Sequence, residues 1–168
     1  MPKIIENLKD RLLAEARRQV DEGGYESVTI RSIATGCGVG VGTVYNYFSS
    51  KEELIAVHLL EDWKSCLEAI RASAACSEDP WPVLQCMYDQ LVGFAGRHQA
   101  VFLAESAVSG FAGSFSRYHS LLRSQLAEPL HKLCGSDFLA QFIAESLLTW
   151  SMAGKSFDEI YEILKKLI

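Results

Sequence analysis

Thr43, Tyr45, Asn46 and Tyr47 lie within five residues of one another and offer hydroxyls, a carboxamide and aromatic edges. Those groups donate to phosphate oxygens and pair with base edges. Val44 and Phe48 are four apart, so on a helix they share one face and can turn inward. Thr43, Asn46 and Tyr47 then face outward, with Tyr45 flanking them. A helix of seven or eight residues from Val41, with such a free side, is poor core material. It suits a short helix entering a DNA major groove.

The neighbouring residues read as the frame for such a helix. Thr29 can cap a segment whose Ile30, Ile33 and Ala34 share a side. Gly36 and Gly38 are expected to break that segment and allow a left-handed turn. Ser50 and Glu53 read as a Ser-x-x-Glu capping box that starts the next helix. Ahead of them, Ile5, Leu8, Leu12, Ala16 and Val20 recur at three- and four-residue steps. This amphipathic first helix ends at Gly23-Gly24 and supports the two short ones, with Lys9, Arg17 and Arg18 on its solvated face.

The run Val28-Thr29-Ile30-Arg31-Ser32-Ile33-Ala34, then Gly38-Val39, Gly42-Thr43-Val44-Tyr45-Asn46-Tyr47-Phe48 and Ser50-Lys51-Glu52-Glu53-Leu54, resembles the tetracycline-repressor (TetR) family of bacterial transcription regulators. The resemblance covers about the first third of the chain. It implies DNA contacts residue by residue. Thr29 and Arg31 would touch phosphates or a neighbouring base, and Val41 and Gly42 would lie nearest the base edges. Thr43, Tyr45, Asn46 and Tyr47 would contact phosphates and bases, and Lys51 would pair with a phosphate. Asn46 is the candidate for direct readout, because an amide can pair bidentately with adenine. Three positions depart from the family's habit: Gly40 where serine is common, Val41 where a polar residue is common, and Tyr47 where histidine is common. Direct readout therefore rests on few groups.

The chain of 168 residues is 49% hydrophobic, enough for a real core. No alternating apolar runs bounded by turns mark strands, and no apolar run reaches membrane-spanning length. The amphipathic, charged N-terminus has no signal-peptide core, so a cytoplasmic protein with no membrane partner is expected. Net charge is −5. Up to Leu60 there are seven Lys or Arg against eight Asp or Glu, which is not the usual basic footprint of a nucleic-acid binder. Arg31 and Lys51 nevertheless fall where phosphates should lie, and few phosphate contacts predict a moderate salt slope.

Beyond Phe48 a connector helix is expected from Lys51 to about Ala74, and a linker over Ser73 to Pro82. Helices follow over Val83–Gly96, Ala100–Val108 and Phe115–Leu133, the last kinked near Pro129. Ser109 to Ser114 reads as a glycine break. The chain closes with helices over Asp137–Met152 and Phe157–Ile168, the latter starting at a Ser156/Glu159 capping box. The expected fold is all-α with about nine helices. A helix-turn-helix head occupies 1–50, and an effector-binding and dimerisation body occupies 51–168, with its connector helix over 51–74.

In the family the last two helices form a dimer interface. Phe142, Leu147, Trp150, Leu164 and Leu167 supply more apolar surface than so small a body buries easily alone. A twofold dimer would set two recognition helices about one DNA turn apart on a palindromic operator. Met87, Tyr88, Phe94, Phe102, Phe111, Phe115, Tyr118 and Trp150 are either core or the lining of an apolar cavity for a small hydrophobic effector. Trp81, His98, Glu105 and Arg123 are further candidates there.

Other constellations are thin. Five cysteines without close pairs (37, 66, 76, 86, 134) read as apolar fillers, with a redox role for Cys37 the sharper reading. His131 and Cys134 are one turn apart without further ligands nearby, and His58 and Asp62 read as a surface pair. No catalytic group, cofactor or metal site is assigned. Gly36, Gly38, Gly40 and Gly42 fail the spacing of a dinucleotide loop, and no Gly-x-Ser-x-Gly elbow occurs. The sequence thus reads as a dimeric DNA-binding repressor released by an effector. The alternatives are an effector-independent regulator, or a small-molecule binding helical protein that no longer binds DNA.

Overall fold

The computed structural model describes residues 7–99 and 111–168, and no strand occurs among them. Helices α1 (Leu8–Gly23), α2 (Ile30–Cys37), α3 (Val41–Tyr45) and α4 (Lys51–Cys76) come first. Then come α5 (Pro80–Arg97), α6 (Phe111–Ala127), α7 (His131–Cys134), α8 (Asp137–Met152) and α9 (Phe157–Leu164). Two 3-10 turns intervene, Tyr25–Ser27 and Glu128–Leu130. The all-α expectation holds. Among the described residues no helix is long and apolar enough to cross a membrane.

The chain divides into two compact units, with the boundary inside α4 between Asp62 and Trp63. The sequence expectation put the boundary at 50/51. The physical reason for the longer first unit is that Leu54 and Ile55, in the opening turns of α4, are buried in its core. That core gathers Leu8, Leu12, Ala16 and Val20 of α1 with Val28, Ile33, Ala34, Val44 and Phe48. Each such large apolar side chain, once buried, contributes about 1.5–3 kcal/mol of transfer free energy. Ile5 lies outside the described residues.

Within the second unit, Val83, Leu84, Met87 and Leu91 of α5 meet Leu126, Leu130, Ile143, Ala144 and Leu147. Trp63 donates its indole N–H to Gln125 Oε1 at 2.7 Å. Ile160 and Leu164 bring α9 onto this core. Ring contacts tie α9 to α5, Trp81 on Tyr161 at 4.6 Å and Tyr88 beside Phe157 at 5.6 Å.

Several expected boundaries move, each for a local reason. α4 runs on to Cys76, and α5 begins at Pro80, so the linker shrinks to Ser77–Asp79. Proline suits a first turn, and the Asp79 carboxylate accepts the Trp81 N–H at 3.1 Å. Phe111–Ser114 belongs to α6 rather than to a glycine break. The helix expected over Ala100–Val108 lies outside the described residues. Pro129 does interrupt the long helix, as a 3-10 turn between α6 and α7. Ser156 and Glu159 form the expected capping box. α9 ends at Leu164.

Two of the proposed interface residues are core. Leu147 and Leu164 are buried within the second unit, Leu164 with an edge on the groove formed by α8 and α9. Phe142 and Trp150 stand out at 45% and 49% exposure, Phe138 at 78%, and Ile163 and Leu167 are exposed too. On a helix with most of one stripe already buried, the exposed aromatics lie on the other side. Phe142, Ser146, Trp150, Ile163 and Leu164 line a groove of about 330 Å³, with Lys155 and Glu159 among its other walls.

The proposed effector lining does not assemble among the described side chains. Met87 is buried in the core, and Phe94 packs edge-on to Trp63 at 5.4 Å. Tyr88 donates its hydroxyl to the Lys155 carbonyl at 2.8 Å. Trp150 lines the surface groove instead. Phe102 lies outside the described residues, as do the side chains of Phe111, Phe115 and Tyr118.

Candidate nucleic-acid interface

Thr29 starts α2 with a reciprocal capping box. Its hydroxyl accepts the Ser32 N–H at 3.0 Å, and the Ser32 hydroxyl accepts the Thr29 N–H at 3.0 Å. The Ser32 hydroxyl also donates to Gln19 Oε1 at 2.5 Å, and Gln19 in turn donates to Glu15. A chain of polar contacts thus fixes the entry of α2 against α1. At the other end, Arg11 donates to the Cys37 carbonyl at 2.9 Å.

Gly38 makes the turn, with φ of 68° and its N–H returned to the last turn of α2. That left-handed backbone favours glycine. Gly36 does not break α2, contrary to the sequence expectation; it lies inside the helix. Its role is close approach, since a Cβ there would collide with the Glu15 side chain.

α3 is shorter than expected. Its α-helical part covers five residues, and Phe48 N–H still bonds to the Val44 carbonyl at 3.0 Å, so the turn extends past Tyr45. Val44 and Phe48 are buried, as their spacing predicted. Val41, Gly42, Asn46 and the two tyrosines are exposed, Tyr45 at 54% and Tyr47 at 45%, while Thr43 is half-buried. Thr29 and Arg31 are exposed at the start of α2. Burying two apolar anchors while leaving an amide and two tyrosines in water defines a face without an internal partner.

The capping of α4 differs from the expected box. Ser50 Oγ accepts the Glu53 N–H at 3.1 Å, but the Glu53 carboxylate turns to Ser49. It accepts the Ser49 N–H at 2.6 Å and the Ser49 hydroxyl at 2.5 Å. Those bonds hold its carboxyl below the usual range. Lys51 donates to the Tyr25 carbonyl at 3.3 Å and lies 4.3 Å from the Tyr25 ring centroid. The Tyr25 and Ser49 contacts were missed from sequence. Tyr25 and Lys51 are separated by 26 residues, and no local pattern marks such a pair.

Several acids of this unit are engaged internally, on the α1 side rather than on α3. Arg18 holds Glu15 at 2.7 Å and Glu22 at 2.5 Å. Arg18 and Gln19 together lower the Glu15 carboxyl to about 2. Cys37 is buried, its thiol faces the Arg11 carbonyl at 3.4 Å, and burial pushes it up, against a reactive thiolate.

Two side readings change. Asp62 does not pair with His58 alone. Its carboxylate meets buried His98 Nε2 at 2.7 Å, and His58 lies edge-on to His98 at 5.2 Å. His131 bonds Asp137 at 2.6 Å, and no group of three metal-ligating side chains occurs among the described residues.

Comparison with known proteins fits this geometry. Residues 12–57 match the family described as bacterial regulatory proteins, tetR family. A Bacillus subtilis protein named as an uncharacterized HTH-type transcriptional regulator, YvdT, is 29% identical over 103 residues, 61% of this chain and 53% of that one. The Escherichia coli HTH-type regulator UidR is 35% identical over 63 residues, 38% of this chain and 32% of that one. The chain therefore matches about half of the first relative's length and a third of the second's. Among solved structures, Thermus thermophilus FadR superposes with a TM-score of 0.65 at 20% identity, covering 95% of this chain and 92% of that one. A regulator from Streptomyces coelicolor gives 0.60 at 18%, covering 95% and 99%. Those two likenesses concern the fold alone. The head thus matches the family described as bacterial regulatory proteins, tetR family, over residues 12–57, and the helices are similar in fold to solved regulators.

Proposed function

We propose that the chain is a sequence-specific DNA-binding transcriptional regulator that acts as a homodimer on a palindromic operator. One observation carries the reading: α3 buries Val44 and Phe48 and leaves Val41, Tyr45, Asn46 and Tyr47 exposed. A recognition helix needs that division. Thr29, Arg31 and Lys51 are the phosphate contacts in this reading, Val41 and Gly42 lie nearest the base edges, and Thr43 contacts phosphates and bases. Equilibrium binding to a mixed-sequence duplex tests it. Affinity that falls with added salt, with the moderate slope of a few phosphate contacts, supports it. A folded protein with no affinity at low salt rejects it.

The finer reading is repression, relieved by a small hydrophobic effector. The Thermus thermophilus FadR structure contains lauroyl-CoA, and an acyl chain is an effector class that apolar walls would suit. The effector-independent reading has its own observation, because Met87 fills the core of the second unit and Phe94 packs on Trp63. A thermal-shift screen of acyl and aromatic compounds separates the two, since only a ligand-binding body gains stability.

A further inference from the structure

We propose that Tyr25 is a positioning residue for DNA binding, holding the Lys51 ammonium ready for a backbone phosphate. The inference rests on the reading of Lys51 as a phosphate contact. Three observations place Tyr25 in this role. Its ring lies under the ammonium at 4.3 Å. Its carbonyl accepts from Lys51 Nζ at 3.3 Å. Its side chain also contributes, after the backbone N–H of Glu52, Ser50 and Lys51, to holding the carboxyl of Glu52, the acid adjacent to Lys51, below the usual carboxylate range.

The chemistry of the two groups supports a staging role. An ammonium has three N–H donors. The Tyr25 carbonyl takes one and the ring face attracts the charge, so donor capacity remains for a phosphate oxygen. Neither partner neutralises the charge, as a carboxylate would. A flexible lysine ordinarily loses side-chain entropy when it grips a phosphate. A lysine already held on a ring loses less on binding, which is the general benefit of preorganisation. The 3-10 turn Tyr25–Ser27, between α1 and α2, sets the height of that ring.

The test compares salt slopes on one mixed-sequence duplex for the wild type, Lys51→Met, Tyr25→Leu and the double variant. Each phosphate contact contributes about 0.9 to the slope of log K against log salt. Lys51→Met should lower the slope by about that amount per head. Tyr25→Leu should lose most of the same increment, and adding Lys51→Met to it should change little further. Tyr25→Phe keeps the ring and the carbonyl and should keep the slope. A merely structural tyrosine would weaken binding, or the fold, without moving the slope. If Tyr25→Leu does not melt cooperatively, replacement of Tyr25 by pentafluorophenylalanine preserves shape while reversing the charge of the ring face, and the slope should still drop. Slopes equal to wild type in the Tyr25 variants with a reduced slope in Lys51→Met would overturn the positioning role. Tighter binding by Tyr25→Leu would also overturn it, making the ring a trap. An unchanged slope in Lys51→Met would remove the phosphate contact itself, and absence of wild-type binding would remove the DNA reading.

Discussion

Phe48→Ala is the perturbation whose consequences the structure fixes best. Phe48 is 2% exposed and belongs to the buried cluster that also contains Leu12, Ile33, Val44 and Leu54. Removing a buried phenyl group from such a site costs about 3–5 kcal/mol in lost transfer energy and cavity. A domain of this size is stable by only about 5–15 kcal/mol, so the first unit should become marginal. The second unit's core contains none of these residues. All three tryptophans, Trp63, Trp81 and Trp150, belong to the second unit. Hydrogen exchange read by mass spectrometry should show protection in α1 to α3 falling by a factor of about one hundred to several thousand. Peptides from α5 and α8 should keep theirs, and the tryptophan fluorescence melt should stay near the wild-type midpoint. DNA binding should be lost, because α3 is placed by this anchor. Equal loss of protection in both units, with a shifted tryptophan melt, would refute the assignment of Phe48 to a separate core.

Four further outcomes follow. Asn46→Ala should flatten preference at one base position by about 1–3 kcal/mol while Tyr47→Ala weakens all sequences alike, read from binding to single-base operator variants; uniform loss for Asn46→Ala would rule out direct readout by that side chain. Gly42 has nothing within 4 Å of an added Cβ, so Gly42→Ala should gain up to about 1 kcal/mol of helix stability yet weaken DNA binding, whereas Gly38→Ala, at φ of 68°, should lower the melting temperature. Burial, His98 and Arg17 depress the His58 imidazole below its usual 6.5, against the opposing pull of Asp62 and Glu61, so the folded protein resists a proton that the unfolded chain accepts. Stability should therefore decline as pH falls from 6.5 toward the folded value, by at most about 1.4 kcal/mol per pH unit, and His58→Gln should flatten that part of the curve in urea titrations. Phe142→Ser with Trp150→Ser should leave the melt nearly unchanged and shift sedimentation toward monomer; a large fall in melting temperature at constant mass would mean those rings are core.

Legibility in the sequence followed the range of the interactions. Val44 and Phe48 could be assigned inward because helix spacing is local, and the Ser156/Glu159 box because its partners are three residues apart. The Gly36 assignment failed because close approach to Glu15 is tertiary, and a glycine has two uses that sequence does not separate. The Ser50/Glu53 box was half right, because Ser49 competes for the same carboxylate. Leu147 and Leu164 resembled Phe142 and Trp150 by type alone. Which helix stripe faces the core is decided by the partner helices, here α5 and α6. The Tyr25–Lys51 contact, and the approach of His98 to Asp62 and His58, join residues far apart in sequence and carry no local pattern.

Selection of binding sites from random duplex DNA with the purified protein tests the central claim most directly. The account predicts an enriched palindrome whose half-sites lie about 10 base pairs apart, with enrichment abolished by Phe48→Ala. A folded, dimeric protein that enriches no sequence at low salt would contradict it, and would leave the exposed face of α3 without a function.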